Sequence, residues 1–152
     1  MAGDDCGGKK EAMKKRDVVF VCIAVITVSV VALLPALGRH AKSISCGNYM
    51  SSIGLATRVW AGDNNNILPK DFVSMSNELA TTRVLICPAD QSRQAALNWA
   101  SFTQSNSSYE ILTPGVPYND SNAFLRCEIH GHLGYADGTV FDGHRRRTKV
   151  PW

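Results

Sequence analysis

The chain has 152 residues, of which 45% are hydrophobic and 19% charged, and its formal net charge is +3. A balance this close to neutral is not typical of proteins that bind nucleic acid, so we expect no nucleic-acid partner. About 110 residues follow the apolar N-terminal region, which is enough for one small hydrophobic core.

Residues 1–16 are charged and show no hydrophobic periodicity, so we predict a disordered segment there. The run Val18–Gly38 then has 21 residues without a charge and without a polar face. About 20 apolar residues cross a bilayer as a helix, whereas a signal peptide has an apolar stretch of about 7–15. We therefore predict an uncleaved transmembrane helix at 17–41.

Basic residues are more numerous before this run than after it, which places the N-terminus in the cytoplasm. Five precede the run and two follow it closely: Lys9, Lys10, Lys14, Lys15 and Arg16, then Arg39 and Lys42. The remainder of the chain is then expected outside the cytoplasmic membrane.

The helix is predicted to continue outward and to become the main helix of a folded domain. Apolar residues recur at spacings of three or four, as on one face of an amphipathic helix: Cys46, Tyr49, Ile53, Ala56 and Trp60. Gly62 and the cluster 63–66 end the pattern. Pro35 lies inside the helix and is expected to kink it, because proline removes one backbone hydrogen bond.

Shorter elements follow. We predict a helix at 72–80, a β-run at 83–87, helical turns at 91–102, and strands at 107–112, 123–129, 133–136 and 139–141. Asp137-Gly138 is a strong hairpin turn before the last strand. A long helix followed by antiparallel strands gives an α+β fold.

Several motifs occur in a fixed order along the chain. LLPALGRHAKSISCGNYMSSIGLATRVWAGDNNNILP lies at 33–69, followed by CPAD at 87–90, Ser108-Tyr109 and HGHLGYADGTV at 130–140. Together they resemble bacterial type IV pilin-like and type II secretion pseudopilin-like proteins. The resemblance implies a pilin-like domain at 42–144, formed by a kinked transmembrane helix packed on a small antiparallel sheet. A basic tail at 145–152 follows. The implied location is the bacterial inner membrane, with the C-terminal domain periplasmic or extracellular.

One part of the family pattern differs. Prepilins begin the apolar run with Gly-Phe-x-x-x-Glu and are cut after the glycine, whereas the corresponding positions here are Met13 and Val18. We therefore expect a degenerate peptidase motif and no cleavage at this point.

We find no catalytic motif, so we expect a non-enzyme without a cofactor or a small-molecule substrate. His130 and His132 form an H-x-H pair near Asp137 and are weak candidates for a metal site. Zinc needs three or four ligands, so a polar hairpin face is the favoured interpretation and no metal is expected.

Three cysteines fall in the predicted extracytoplasmic part, where disulfides persist: Cys46, Cys87 and Cys127. We predict one disulfide among them, with Cys87–Cys127 as the first candidate. Three buried free thiols are the alternative. Spacing excludes a zinc site built from Cys-x-x-Cys pairs.

The predicted function is that of a structural or accessory subunit of a cell-envelope assembly, acting through helix packing and protein–protein interaction. Its partners would be the membrane and other protein subunits, which can include copies of itself. Small residues would allow close helix contact: Ala24, Ser29, Ala32 and Ala36. The alternative is an anchored extracytoplasmic binding domain that uses the hairpin with His130 and His132.

Overall fold

The structure, a computed structural model, describes residues 15–142 and 146–147. One α-helix, α1, spans Lys15–Asp63. Five strands follow: β1 Tyr109–Ile111, β2 Ala123–Cys127, β3 His132–Tyr135, β4 Val140–Phe141 and β5 Arg146–Arg147. They form one antiparallel sheet in the order β1-β2-β3-β4-β5, so the predicted α+β class is confirmed.

The chain divides into two compact units, Met1–Gly38 and Arg39–Trp152. In the first unit, the large apolar side chains of α1 are exposed, from 40% for Val18 to 69% for Val28. The hydroxyls of Thr27 and Ser29 donate to the carbonyls of Ala24 and Val25, at 2.9 and 2.8 Å. The helix is therefore long and apolar enough to span a membrane by length and composition.

Pro35 lies inside α1, as the sequence requires. It has no N–H to donate to the carbonyl one turn earlier, which is the usual cause of a bend. The bend itself stays a prediction.

In the second unit, α1 buries one face, which differs in part from the predicted stripe. Cys46, Ile53 and Ala56 are buried as expected, and Met50 is fully buried beside them. Tyr49, predicted to be in the stripe, is 36% exposed. Trp60 is only half-buried, and its indole N–H donates to the carbonyl of Ser74 at 2.9 Å. Successive residues of a helix point about 100° apart, and at this position the flexible Met50 side chain, not that of Tyr49, lies in the core.

The closing hairpin forms where the sequence predicts it. Gly138 has φ +86°, a conformation that glycine adopts without strain. Asp137 accepts two hydrogen bonds from Thr139, from the backbone N–H at 2.8 Å and from Oγ1 at 2.6 Å. The turn is therefore stabilised by its own aspartate, an arrangement common in tight turns.

The hairpin turn lies against α1 at a pair of glycines. A Cβ added at Gly54 would lie 2.5 Å from the carbonyl oxygen of Tyr135 and 2.8 Å from Cα of Gly138. Ser51 donates a hydrogen bond to the carbonyl of Gly138 at 2.7 Å. This close approach fixes the helix on the sheet.

Two predicted elements are wrong. The run 83–87 is not a strand: a 3-10 helix spans Thr82–Leu85 and its N-cap Thr81 accepts from the N–H of Arg83. The predicted helix at 72–80 is a series of turns. At their start, the carboxylate of Asp71 accepts a hydrogen bond from the backbone N–H of Ser74 at 2.8 Å. Within 91–102 the helical structure is one 3-10 turn, Trp99–Ser101.

Of the predicted basic tail, Arg146 and Arg147 pair with β4 as strand β5. The other tail residues lie outside the described residues. The predicted disordered segment 1–16 is too long at its C-terminal end, because Lys15 and Arg16 belong to α1, and its residues 1–14 also lie outside the described part.

Candidate metal centre

Three cysteines and one histidine from four separate segments meet at one end of the sheet. Cys46 is on α1, Cys87 follows the first 3-10 helix, Cys127 ends β2, and His130 lies in the turn before β3. Their ligand atoms all lie within 4.8 Å of one another. Sγ of Cys87 and Nδ1 of His130 lie 3.3 Å apart.

The sheet register explains why these residues meet. Tyr109 of β1 pairs with Cys127 of β2. The preceding residue, Ser108, donates its N–H to the carbonyl of Leu85 at 2.8 Å, which holds the first 3-10 helix beside β1. Cys87, two residues farther on, is thereby placed next to Cys127.

All three cysteines are fully buried, and His130 is half-buried. Backbone N–H groups donate to two of the sulfurs: that of Ala89 to Cys87 and that of His130 to Cys127. The hydroxyl of Tyr109 donates to Sγ of Cys46 at 3.6 Å. Such donors stabilise a sulfur that carries negative charge.

The thiols interact strongly with one another. Hydrogen bonds from Cys46 and Cys87 lower the pKa of Cys127 well below its usual range. The same contacts with Cys127 raise the pKa values of Cys46 and Cys87. A negative charge on one sulfur of the cluster would therefore be stabilised by hydrogen bonds from the two neighbouring thiols.

The predicted disulfide is absent from the structure. Cys46, Cys87 and Cys127 are all free and buried, which is the alternative that the sequence left open. Cys22, in the apolar part of α1, is free and exposed.

The other candidate ligands are not part of the cluster. Nε2 of His132 lies 3.2 Å from Oγ of Ser43, and its ring stacks on that of His130 at a centroid distance of 5.2 Å. Asp137 is occupied in the hairpin turn with Thr139. Of the three candidates His130, His132 and Asp137, only His130 belongs to the group of described ligand atoms. The predicted packing residues Ala24, Ser29, Ala32 and Ala36 all lie on the exposed part of α1.

A donor set of three sulfurs and one imidazole nitrogen is a recognised zinc set, and zinc holds four ligands as a tetrahedron. With metal–sulfur bonds of about 2.3 Å, the ligand atoms would be about 3.8 Å apart. The ligand atoms of the cluster, which lie 3.3 Å apart for Cys87 and His130 and within 4.8 Å for every pair, are close to this spacing. In the sequence, one local signal connects a cysteine of the cluster with its histidine, the spacing Cys127-x-x-His130.

Comparison of the chain with protein-family models, curated proteins and solved structures finds no match.

Proposed function

We propose that the chain is a non-catalytic, membrane-anchored subunit of a bacterial cell-envelope assembly, with a pilin-like or pseudopilin-like domain outside the cytoplasm. The observation that carries this proposal is the exposed apolar half of α1. Its large apolar side chains from Val18 to Leu37 are exposed among the residues that the structure describes. Twenty such residues in water would be strongly unfavourable, whereas lipid or neighbouring helices would cover them.

The order of elements agrees with the proposal. The same helix continues from the apolar run into a folded unit, where it packs by its buried face, and the sheet follows in antiparallel order. The sequence resemblance to pilin-like proteins points to the same arrangement. The excess of basic residues before Val18 orients the folded unit away from the cytoplasm.

The small residues of the apolar run support a role in helix packing. With 3.6 residues per turn, Ala24, Ser29, Ala32 and Ala36 lie within a sector of about 140°. The hydroxyl of Ser29 is satisfied by the carbonyl of Val25, so the residue presents a small surface. Small residues allow close approach of a second membrane helix.

The alternative, a binding domain that uses the His130/His132 hairpin, has less support. His132 is buried against Ser43, so the two rings do not form an open face for a ligand.

Membrane fractionation tests the anchor. The full chain should sediment with membranes, resist alkaline carbonate and dissolve in detergent, and a protease added from the periplasmic side should reach residues after Gly38. Release by carbonate alone, or digestion only from the cytoplasmic side, would contradict the proposal.

Cross-linking in native membranes tests the packing surface. Ala32→Leu and Ala36→Leu should reduce cross-linked complexes that contain the chain, because added bulk separates closely packed helices. Val30→Phe is the control, because Val30 lies on the opposite side of the helix. An equal effect of all three substitutions would argue against a specific surface.

Intact-mass measurement distinguishes an accessory subunit from a filament-forming pilin. Because Met13 and Val18 replace the residues of the peptidase motif, we expect the first dozen residues to be retained. A trimmed chain within filaments would favour a true pilin instead.

A further inference from the structure

We propose that Cys46, Cys87, Cys127 and His130 together bind one zinc ion in a closed structural site. The inference is separate from the membrane role, because all four residues lie within the unit Arg39–Trp152. Three cysteine sulfurs and Nδ1 of His130 would be the ligands.

The geometry is the first argument. Four ligand atoms from four segments lie within 4.8 Å of one another, and the 3.3 Å between Cys87 Sγ and His130 Nδ1 is close to the edge of a zinc–sulfur–nitrogen tetrahedron. The fold itself thus brings the four ligand atoms together.

The surroundings of the sulfurs are the second argument. The N–H groups of Ala89 and His130 donate to Cys87 and Cys127, and the hydroxyl of Tyr109 donates to Cys46. Each sulfur therefore has a donor that would stabilise it as a thiolate ligand. Partners of this kind orient ligands and tune metal affinity.

The donor set selects the class of metal. Thiolates and imidazole suit zinc and other borderline or soft ions, whereas calcium and magnesium require oxygen ligands. Four protein ligands complete a tetrahedron and leave no position for water, which is typical of a structural site rather than a catalytic one.

Zinc binding would exchange protons for the metal ion and would involve no change of oxidation state. As Zn²⁺ enters, the three thiols release one proton each to solvent, and the neutral imidazole binds through its nitrogen lone pair. Four metal–ligand bonds form, nothing is oxidised or reduced, and the site carries a net charge of −1. The hydrogen bonds from Ala89, His130 and Tyr109 partly compensate that charge.

The consequence concerns folding. The ion would tie α1, the loop after the first 3-10 helix, the end of β2 and the β2–β3 turn to one point. Because such a site does not exist in the unfolded chain, metal affinity adds to folding stability.

The main competitor is a disulfide between two of the cysteines. It would require an oxidant that accepts two electrons, and it would leave the third thiol and His130 without a shared role. The two states differ in metal content and in the number of free thiols, so one preparation distinguishes them.

The experiment uses the full chain, purified in detergent without added reductant from cells grown with zinc, followed by elemental analysis. We expect one zinc per chain. Exchange with Co²⁺ should give the intense visible absorption and the sulfur-to-cobalt charge-transfer bands of a tetrahedral thiolate site.

Substitutions locate the ion. Cys127→Ser and His130→Ala should lose the zinc and the cobalt spectrum, while His130→Cys, which supplies a fourth thiolate, should retain both. Cys22→Ser and His40→Gln are matched controls outside the cluster, and they should bind as the unchanged chain does. If Cys127→Ser fails to fold, His130→Ala remains informative, because that side chain is only half-buried.

Three results would overturn the proposal. They are a zinc content well below one per chain with all three thiols titratable, a disulfide among Cys46, Cys87 and Cys127 in peptide mapping, and zinc that persists unchanged in Cys127→Ser and His130→Ala.

Discussion

Sγ of Cys87 lies 3.3 Å from Nδ1 of His130, although 43 residues separate them in the chain. The contact joins the loop after a 3-10 helix to the turn between β2 and β3. Because Cys46 and Cys127 complete the group, the contact belongs to a cluster with the donor set of a zinc site.

Met50→Ala should destabilise the folded unit by about 2–5 kcal/mol, because truncation of a fully buried methionine leaves a cavity. Urea unfolding of the full chain in detergent, followed by tryptophan fluorescence, measures the change. Tyr49→Ala is the neighbouring control and should cost less, because Tyr49 is 36% exposed. A larger loss at Tyr49 than at Met50 would contradict the observed helix face.

Much of the fold was predictable because its signals are local. The 21-residue uncharged run and the Asp137-Gly138 turn identify a long helix and a closing hairpin without tertiary information. The buried face of α1 was harder to predict from the sequence. Tyr49 and Met50 are neighbours that could each lie in the core, and only packing against the sheet determines which of them is buried.

The cluster was missed for a different reason. Its residues come from four segments that are far apart in the sequence, and neither hydrophobic periodicity nor motif spacing indicates that these segments meet. In particular, the run 83–87 has β-forming residues and was predicted as a strand, which hides the turn that brings Cys87 to the site. Only Cys127-x-x-His130 is a local sign of shared ligation.

Gly54→Ala should destabilise the folded unit by about 1–3 kcal/mol, the usual cost of overpacking. The added Cβ would lie 2.5 Å from the carbonyl oxygen of Tyr135, and backbone on both sides leaves little room to adjust. Gly62→Ala, in the last turn of the same helix, is the control, because a Cβ there meets nothing within 4 Å. In thermal unfolding, Gly54→Ala should have a lower midpoint temperature than Gly62→Ala. Equal midpoints for the two variants would argue against the close helix–hairpin contact.

Asp90→Asn should destabilise the unit by about 1–3 kcal/mol at neutral pH, as expected for charge-assisted hydrogen bonds. The Asp90 side chain is 3% exposed and accepts from Ser108 Oγ and Ser92 Oγ, both at 2.7 Å. Burial alone would raise the pKa of Asp90, but the hydrogen bonds from Ser108, Ser92 and Arg93 outweigh it and hold the pKa below its usual range.

The sign of the pH dependence follows. Because the folded-state pKa of Asp90 is lower than that in the unfolded chain, its contribution is complete above the unfolded value of about 3.9 and is lost as the pH falls below it. Unfolding curves of the unchanged chain and Asp90→Asn should therefore converge in acid. A difference that stays constant down to about pH 3 would contradict the assignment.

Tyr109→Phe should weaken zinc binding about 10-fold, the lower end of the range for partners of metal ligands. The hydroxyl of Tyr109 donates to Sγ of Cys46 at 3.6 Å, while the ring is fully buried and would be kept by phenylalanine. Competition with a chromophoric chelator gives the affinity, and circular dichroism confirms that the fold is retained. Tyr118→Phe is the matched control, because its hydroxyl donates to Asp120 at 2.6 Å and not to a cysteine of the cluster. An equal loss of affinity in both variants would indicate a general loosening of the domain, whereas a loss confined to Tyr109→Phe would identify its hydroxyl as a group that orients Cys46 for the metal.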